Sequence, residues 1–289
     1  MILFTVPKPF EGEFAAIQKN AIESWLQIKP TPTIILLGNE HGVKDIAKKY
    51  GLVHISVIKV SEKGVPLLNS VFNEVLERYA DTTYLYVNSD IIILDSPTHI
   101  ITMLSKQFSE FLAIGQRYEM RMGGKSTHEI RQLVKDGVLR LKNRSWMDYF
   151  LFTPHVFSSI PPFLLGRTFW DKWLVWDALQ KKIPVIDITK DLLTVHQSHS
   201  YSFSKTTSKS AVWAGEDALR NITLAGGWSH CADSGNATHT LIDGNLIKQE
   251  TKDTLLSPRR IMDTTPILWP LFLRFRLLYQ KITSIMQQK

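Results

Sequence analysis

The feature that most constrains the fold is a strict alternation of strand and helix patterns through residues 1–95. The strand patterns are short apolar runs, at Ile2–Val6, Thr33–Leu37, Leu52–Ile58 and Tyr84–Val87. The helical patterns between them cover Glu11–Ile28, Val43–Tyr50 and Leu68–Leu76. Such alternation predicts βαβ units and a mostly parallel sheet, that is, an α/β protein. Apolar residues make up 44% of the chain and charged residues 21%, as in soluble domains with a real core.

The last of these strand patterns ends in three small polar residues, Asn88, Ser89 and Asp90, before Ile91–Leu94 becomes apolar again. In open α/β sheets, ligands bind beyond the carboxyl ends of the strands, so Asp90 is a candidate ligand for a cation. A tight turn between two core segments explains the same residues, because Asn, Ser and Asp are common in turns. This stretch alone leaves both interpretations open.

Charge and motif content exclude several classes of protein. The net charge of +7 is spread along the chain, which suits a phosphate-bearing substrate or an anionic membrane surface. No nucleic-acid-binding signature is present, so no nucleic-acid partner is predicted. Neither a dinucleotide fingerprint nor a P-loop occurs, so a bound nucleotide would need a metal or basic side chains to meet its diphosphate. One cysteine, no apolar run of spanning length and no signal peptide at Met1–Val6 predict a cytoplasmic protein.

The pattern changes after Asp90. A helix is predicted at Pro97–Phe108 and a strand at Phe111–Gln116. Arg117–Arg144 is rich in charge and glycine and predicts a surface excursion with a helix near Thr127–Lys135. Further predicted elements are the aromatic stretch Trp146–Thr153, a helix at Thr168–Lys182, strands at Pro184–Ile188 and Leu192–Val195, and a helix at Trp213–Leu224.

Five stretches carry a resemblance to a known class: Val6–Phe10, Ile17–Trp25, Asn88–Asp90, Gly166–Trp173 and His196–Tyr201. They resemble the GT-A class of nucleotide-sugar glycosyltransferases, most closely a bacterial group, over about residues 1–245. The resemblance implies one Rossmann-like domain, a mostly parallel sheet flanked by helices, here residues 1–257. It also implies an Asp-x-Asp motif that holds Mn²⁺ or Mg²⁺ against the donor diphosphate. Asn88 replaces the first Asp, so the metal assignment depends mainly on Asp90.

The same resemblance implies a late histidine at the metal and a carboxylate base at the start of a late helix. His196 and His199 are the candidate metal ligands. Residues three apart in an extended chain face opposite ways, so one of them, preferably His196, is expected to point at the metal. A surface loop with two histidines is the alternative. Asp171 is the candidate catalytic base, and a helix-start acid favoured by the macrodipole is its alternative.

Several further residues are candidate contacts of the donor. The substrate- and nucleotide-binding candidates are Pro7, Lys8, Asn39, Asn69, Asn88, Ser89, Asp148, Arg167 and Trp170. A buried ion pair explains Asp148 and Arg167 equally well, core packing explains Trp170 and Trp173, and the remaining residues fit ordinary polar loops. The expected donor is a uridine or guanosine diphosphate sugar, and the expected acceptor is a glycan or a lipid-linked molecule.

The function predicted from these residues is metal-dependent transfer of a sugar from a nucleotide-sugar donor. A sugar-phosphate nucleotidyltransferase would need a glycine-rich, basic loop after the first strand, which Val6–Phe10 does not supply. A non-catalytic nucleotide-sugar binder is the third hypothesis. The tail, residues 258–289, carries an apolar helical stripe from Leu268 to Met286. It predicts an amphipathic helix that attaches to a membrane surface, or packs on the catalytic domain or on a second copy of the chain.

Overall fold

The computed structural model describes residues 1–80, 82–121, 126–199 and 215–249. The strands are β1 (Ile2–Thr5), β2 (Thr33–Leu37), β3 (Val53–Ile55), β4 (Tyr84–Val87), β5 (Ile91–Ile93), β6 (Leu112–Gln116), β7 (Tyr118–Arg121), β8 (Arg140–Leu141), β9 (Met147–Phe152), β10 (Val185–Asp187), β11 (Thr194–Ser198), β12 (His239–Ile242) and β13 (Asn245–Lys248). The helices are α1 (Gly12–Leu26), α2 (Val43–Tyr50), α3 (Leu68–Leu76), α4 (Thr98–Gln107), α5 (Thr127–Lys135), α6 (Trp170–Gln180) and α7 (Glu216–Leu224), with a 3₁₀ turn at Ser234–Asn236.

A nine-stranded sheet forms the centre of the fold, in the order β13-β12-β10-β6-β9-β4-β1-β2-β3. The β3-β2-β1-β4 half is parallel throughout, and β10 is parallel to both β6 and β12. Strand β9 runs antiparallel between β4 and β6, and β12–β13 is a hairpin. The predicted α/β architecture with a mostly parallel sheet is therefore confirmed.

Apolar layers cover both faces of this sheet. Neighbouring residues of β1 point to opposite faces, so Phe4 packs in one core with Phe72 of α3, while Leu3 packs in the other with Trp25 of α1. All four of these side chains are fully buried. Burial of a side chain of this size contributes about 1.5–3 kcal/mol, so the flanking helices fix the sheet and the loops at its edge.

A second, four-stranded sheet has the order β5-β11-β7-β8. Strand β5 follows β4 after the turn at Asn88–Asp90, and so links the two sheets. The small sheet has a modest apolar core of Ile92, Met120, Ile130 and Val195. Its strand β11 also buries the polar side chains of Thr194, His196 and Gln197.

Two sequence predictions are wrong in this region. Arg117–Arg144 does not begin as a surface excursion, because β7 lies within it and pairs with β11, and Arg117 is only 3% exposed. Strand β11 extends to Ser198 instead of ending at Val195, so His196 lies within the strand. The helix at Thr127–Lys135 is confirmed. The tail and the boundary at residues 257 and 258 lie outside the described residues. Within the described ranges, no helix is both long and apolar enough to cross a membrane.

Candidate active site

A cleft opens where the order of the parallel strands reverses, between β1 and β4. The loop Pro7–Pro9 follows β1 and the turn Asn88–Asp90 follows β4, and both line a cavity of about 800 Å³. The carboxyl ends of adjacent parallel strands meet at one sheet edge, and such a switch point is where open α/β sheets bind ligands. Because α6 and the small sheet complete the walls, the cavity receives side chains from distant parts of the sequence.

Asp90 and two histidines form a candidate metal centre on the cleft. The Asp90 Oδ2 atom lies 3.1 Å from Nε2 of His199 and 3.5 Å from Nε2 of His196. One ligand atom from each residue falls within 4.8 Å of the other two. Burial alone would raise the pKa of Asp90, but hydrogen bonds from both imidazoles and the charges of His196 and Lys8 hold it well below its ordinary value. Asp90 is therefore ionised in this environment.

Both imidazoles reach the same carboxylate, so the expectation that only one histidine faces this centre is wrong. The argument from alternation holds only within a strand, and β11 ends at Ser198, one residue before His199. His199 packs its ring edge-on against Phe14 of α1, with the centroids 4.9 Å apart. The structure thus brings His196 from the small sheet and His199 from the loop beyond it to one point.

Glu119, on β7, contacts His196 on the side away from Asp90. Its Oε1 atom lies 3.1 Å from His196 Nδ1 and also accepts a hydrogen bond from the Ser198 hydroxyl. Burial tends to raise the pKa of Glu119, but these hydrogen bonds and the charges of His196 and Arg117 lower it to about 2. Burial tends to lower the pKa of His196, and its two carboxylate neighbours raise it. One imidazole therefore bridges two anionic side chains.

A series of polar contacts joins three further residues that line the cleft, Asn88, Asp148 and Arg117. The Asn88 side chain donates a hydrogen bond of 2.7 Å to Asp148 Oδ1 on β9, and the backbone N–H of Asn88 donates to the Asp148 carbonyl. Asp148 forms an ion pair with Arg117, whose guanidinium lies 4.7 Å from the centroid of the Trp146 ring. Asp148 therefore lines the cleft and also forms a buried ion pair with Arg117. The structure is compatible with both interpretations of this residue from the sequence, a donor contact and a buried ion pair.

Asp171 lines the same cleft from the first turn of α6. Burial raises its pKa above the ordinary value, while Lys172 and neighbouring backbone N–H groups oppose this shift. Trp170 also lines the cleft, and its ring contacts Tyr86 and Phe150 at centroid distances of 5.6 Å. The helix is entered through Phe169, whose φ of 94° is uncommon for a bulky residue and marks a constrained turn at this wall.

The outer part of the cleft carries a second group of charges. Arg167 donates a hydrogen bond of 3.1 Å from Nε to Asp217 on α7, and Lys63 lies 3.3 Å from the other oxygen of the same carboxylate. Burial opposes ionisation of Asp217, but these two cations lower its pKa. Arg167 is therefore oriented by an ion pair at the rim, which fits both interpretations of this residue.

Two buried glutamines tie the cleft loops to α1. Gln18 accepts a hydrogen bond from the Lys8 backbone N–H at 2.7 Å and donates one to the Lys8 carbonyl at 3.0 Å. Gln197 donates to the carbonyls of Ile17 and Asp90, at 2.9 Å and 3.3 Å. Lys8 lies over the Phe14 ring, and burial lowers its pKa, although Asp90 and Glu13 oppose that shift.

Most candidates from the sequence meet in this cleft: Pro7, Lys8, Asn88, Ser89, Asp90, Asp148, Arg167, Trp170, Asp171, His196 and His199. Asn39 is exposed and Asn69 lies on α3, and neither lines the cavity. Trp173 packs against Phe163 in the core and does not line it either. Sequence reasoning missed Arg117, Glu119, Trp146, Lys63 and Asp217. The only signal for the first two was their charge, since their burial depends on pairing between β7 and β11.

No protein-family model and no curated protein matches the chain. Among solved structures, it is similar to S. aureus TarS 1–349 in complex with UDP-GlcNAc, with 13% identity, coverage of 78% of this chain and 65% of that chain, and a TM-score of 0.48. The chain thus spans less than two thirds of that structure.

The chain is also similar to M. tuberculosis glucosyl-3-phosphoglycerate synthase, with 14% identity, coverage of 89% and 92%, and a TM-score of 0.47. A structure of that enzyme with Mn²⁺, UDP and glucosyl-3-phosphoglycerate matches with 16% identity, coverage of 86% and 87%, and a TM-score of 0.45. At these identities and TM-scores the three structures carry no argument about this chain, so its function is proposed from the cleft itself.

Proposed function

We propose that this chain is a metal-dependent glycosyltransferase that moves a sugar from a nucleotide-sugar donor to a hydroxyl of an acceptor. The observation that carries the proposal is the convergence of Asp90, His196 and His199 in a switch-point cleft that also contains the acidic side chain of Asp171. A cation site and a carboxylate base are the two parts that transfer from a diphosphate leaving group requires.

The donor set fits a divalent cation. Asp90 Oδ1 is buried and has no hydrogen-bond partner among the residues that the structure describes, so a carboxylate oxygen is left for a ligand. Two imidazole nitrogens beside one carboxylate suit Mn²⁺ better than Mg²⁺, which prefers oxygen ligands and keeps several waters. When bound, the cation supplies Lewis-acid stabilisation of the departing diphosphate.

The chain's own residues supply the remaining functions. Asp171 is proposed to accept the proton of the acceptor hydroxyl, as an inverting reaction requires. Its raised pKa suits this role, because a base with a pKa closer to the working pH drives proton transfer better than an ordinary Asp. Lys8 and Arg167 are proposed to contact the donor phosphates, and Trp170 is proposed to pack against the donor sugar.

The test is hydrolysis and transfer with a panel of uridine and guanosine diphosphate sugars, each with Mn²⁺, Mg²⁺, Zn²⁺ or EDTA. We expect release of nucleoside diphosphate that depends on Mn²⁺ and is lost in EDTA. Release of diphosphate from a nucleoside triphosphate and a sugar phosphate would instead identify a nucleotidyltransferase. Binding of a nucleotide sugar without turnover, across acceptors, would identify a non-catalytic binder.

The acceptor is proposed to be a glycan or a lipid-linked molecule at a membrane surface, with the enzyme in the cytoplasm. Support comes from the net charge of +7 and from the apolar stripe of the tail, whose arginines argue against spanning. Anionic liposomes should pellet the full chain and not a chain that ends at Asp263. Equal pelleting of both, or of neither, would contradict membrane attachment and leave the tail as an internal or dimer-forming helix.

A further inference from the structure

We infer that Glu119 is a positioning residue that holds the Nδ1 side of the His196 ring and so directs Nε2 at the candidate metal centre. The inference rests on the proposed metal role of His196 and adds a residue from a different strand to the same site.

The backbone register places Glu119 and His196 side by side. Strands β7 and β11 are parallel, and Glu119 is the register partner of His196. Register-matched residues of neighbouring strands project on the same face of a sheet, so the two side chains meet. The resulting contact is the 3.1 Å distance between Glu119 Oε1 and His196 Nδ1.

This contact suits the form of the ring that a metal ligand must have. An imidazole that binds a metal through Nε2 carries its proton on Nδ1, and a carboxylate only accepts hydrogen bonds, so Glu119 accepts from Nδ1–H in that form. The Nε2 atom lies 3.5 Å from Asp90 Oδ2 in the candidate metal centre, where a metal would replace the proton that Nε2 shares with Asp90. Histidine ligands in metal sites are commonly oriented by a carboxylate on the other nitrogen, and loss of that partner weakens metal affinity by about 10–100-fold.

Residues other than His196 also hold the Glu119 carboxylate in place. The Ser198 hydroxyl donates to Oε1, while Lys142 Nζ and Arg117 Nη2 lie 3.7 Å and 3.8 Å from Oε2. These two cations favour an oxygen at the Oε2 position. A glutamine at residue 119 would therefore place its oxygen near the cations and its NH₂ group near His196 Nδ1.

That preference makes Glu119→Gln a sharp test. The amide NH₂ would face Nδ1 as a second donor, which disfavours the Nδ1–H form of the ring that metal binding through Nε2 requires. A residue that only fills space or supports packing gives the opposite ranking, in which the nearly isosteric glutamine is milder than alanine. The comparison of Glu119→Gln with Glu119→Ala therefore separates the two roles. Glu77→Gln is the control, because Glu77 is exposed at the end of α3 and does not line the cleft.

Calorimetry of the full chain with Mn²⁺ alone gives an affinity that does not depend on turnover. A thermal melt of the metal-free protein confirms that each variant is folded. We expect Mn²⁺ binding about 10–100-fold weaker in both Glu119 variants than in the wild type, with glutamine at least as weak as alanine.

The inference is overturned if Glu119→Gln binds Mn²⁺ as the wild type does, or if it binds Mn²⁺ more tightly than Glu119→Ala. A wild type that binds no Mn²⁺ overturns the proposed metal role and this inference with it. A wild type that binds Mn²⁺ but transfers no sugar overturns the proposed function alone, so the two failures give different results.

Discussion

The large and small sheets meet at the cleft, yet β4 of the large sheet differs in sequence from β7 and β11 of the small one. Strand β4 is an unbroken apolar run, Tyr84–Val87, in which every side chain is buried. Strand β7 places Glu119 beside the buried Met120, and β11 buries His196 and Gln197. The first sheet supplies a rigid edge, and the second supplies polar groups that are held below the surface.

This difference explains why the small sheet carries so many paired charges. A charge removed from water costs stability unless a partner and hydrogen bonds compensate it. Glu119 meets this condition through His196, Ser198 and two nearby cations, and Arg117 meets it through Asp148. The polar residues of this region are therefore stabilised by contacts with one another. The same contacts orient them towards the cleft.

Asp90 lies at the junction of the two sheets, and its replacement should have the largest effect. In Asp90→Ala the carboxylate that both histidines contact is removed, so we expect no measurable Mn²⁺ binding by calorimetry and only background turnover. The exposed Asp45 on α2 does not line the cleft, and Asp45→Asn should leave both quantities unchanged. Unaltered Mn²⁺ affinity in Asp90→Ala would show that the metal assignment is wrong.

Replacement of Asp171 tests whether the wall of the cleft formed by α6 contributes to the transfer reaction. Asp171→Asn is nearly isosteric and cannot accept a proton, so we expect turnover to fall by about 10²–10⁴-fold while donor affinity is retained. Steady-state kinetics and calorimetry with a nucleotide sugar measure the two effects.

A matched control for Asp171 lies on the same helix. Asp177 is buried, pairs with Lys181 at 2.6 Å and does not line the cleft. Asp177→Asn should lower the melting temperature and leave the turnover of the folded enzyme unchanged. If Asp171→Asn loses less than about tenfold, the base assignment fails, because that is below the contribution of a general base.

The two histidines allow the contribution of the small sheet to metal binding to be compared with that of the loop beyond it. His196 is oriented by Glu119, whereas the described partners of His199 include Asp90 and the Phe14 ring. We expect His196→Ala to weaken Mn²⁺ binding more than His199→Ala, because an oriented ligand loses less freedom on binding. Calorimetric titration of both variants ranks them, and the reverse order would make His199 the principal ligand.

Strand β5 allows the two cores to be compared within three residues. Ile93 packs in the large-sheet core and its neighbour Ile92 packs in the small-sheet core, and each is 3% exposed. Substitution of a buried Ile by Ala costs about 2–5 kcal/mol, more where the surroundings cannot collapse. In urea unfolding, the loss of unfolding free energy should be near the upper end of this range for Ile93→Ala and near its lower end for Ile92→Ala. Equal losses would show that the small core is packed as tightly as the large one.

The sequence predicted those parts of the site that lie at the ends of apolar patterns. Asp90 follows a buried strand, so local sequence was enough to select it. Asp171 was selected as the acid at the start of a late helix that the resemblance implies. Glu119 was missed because its contact with His196 depends on pairing with β11, 77 residues away along the chain. Asn39 was selected by the same strand-end logic as Lys8, but it follows β2, one strand further from the switch point, and lies exposed outside the cleft.

The two buried glutamines, Gln18 on α1 and Gln197 on β11, have a consequence for how ligands communicate. Gln18 holds the loop after β1, and Gln197 holds both α1 and the turn at Asp90, so the loop and the turn share one anchor. A ligand that orders one of them also reduces the conformational freedom left to the other, so the next ligand loses less entropy on binding. Such coupling is reciprocal. A nucleotide and a divalent cation should therefore raise each other's affinity by the same factor.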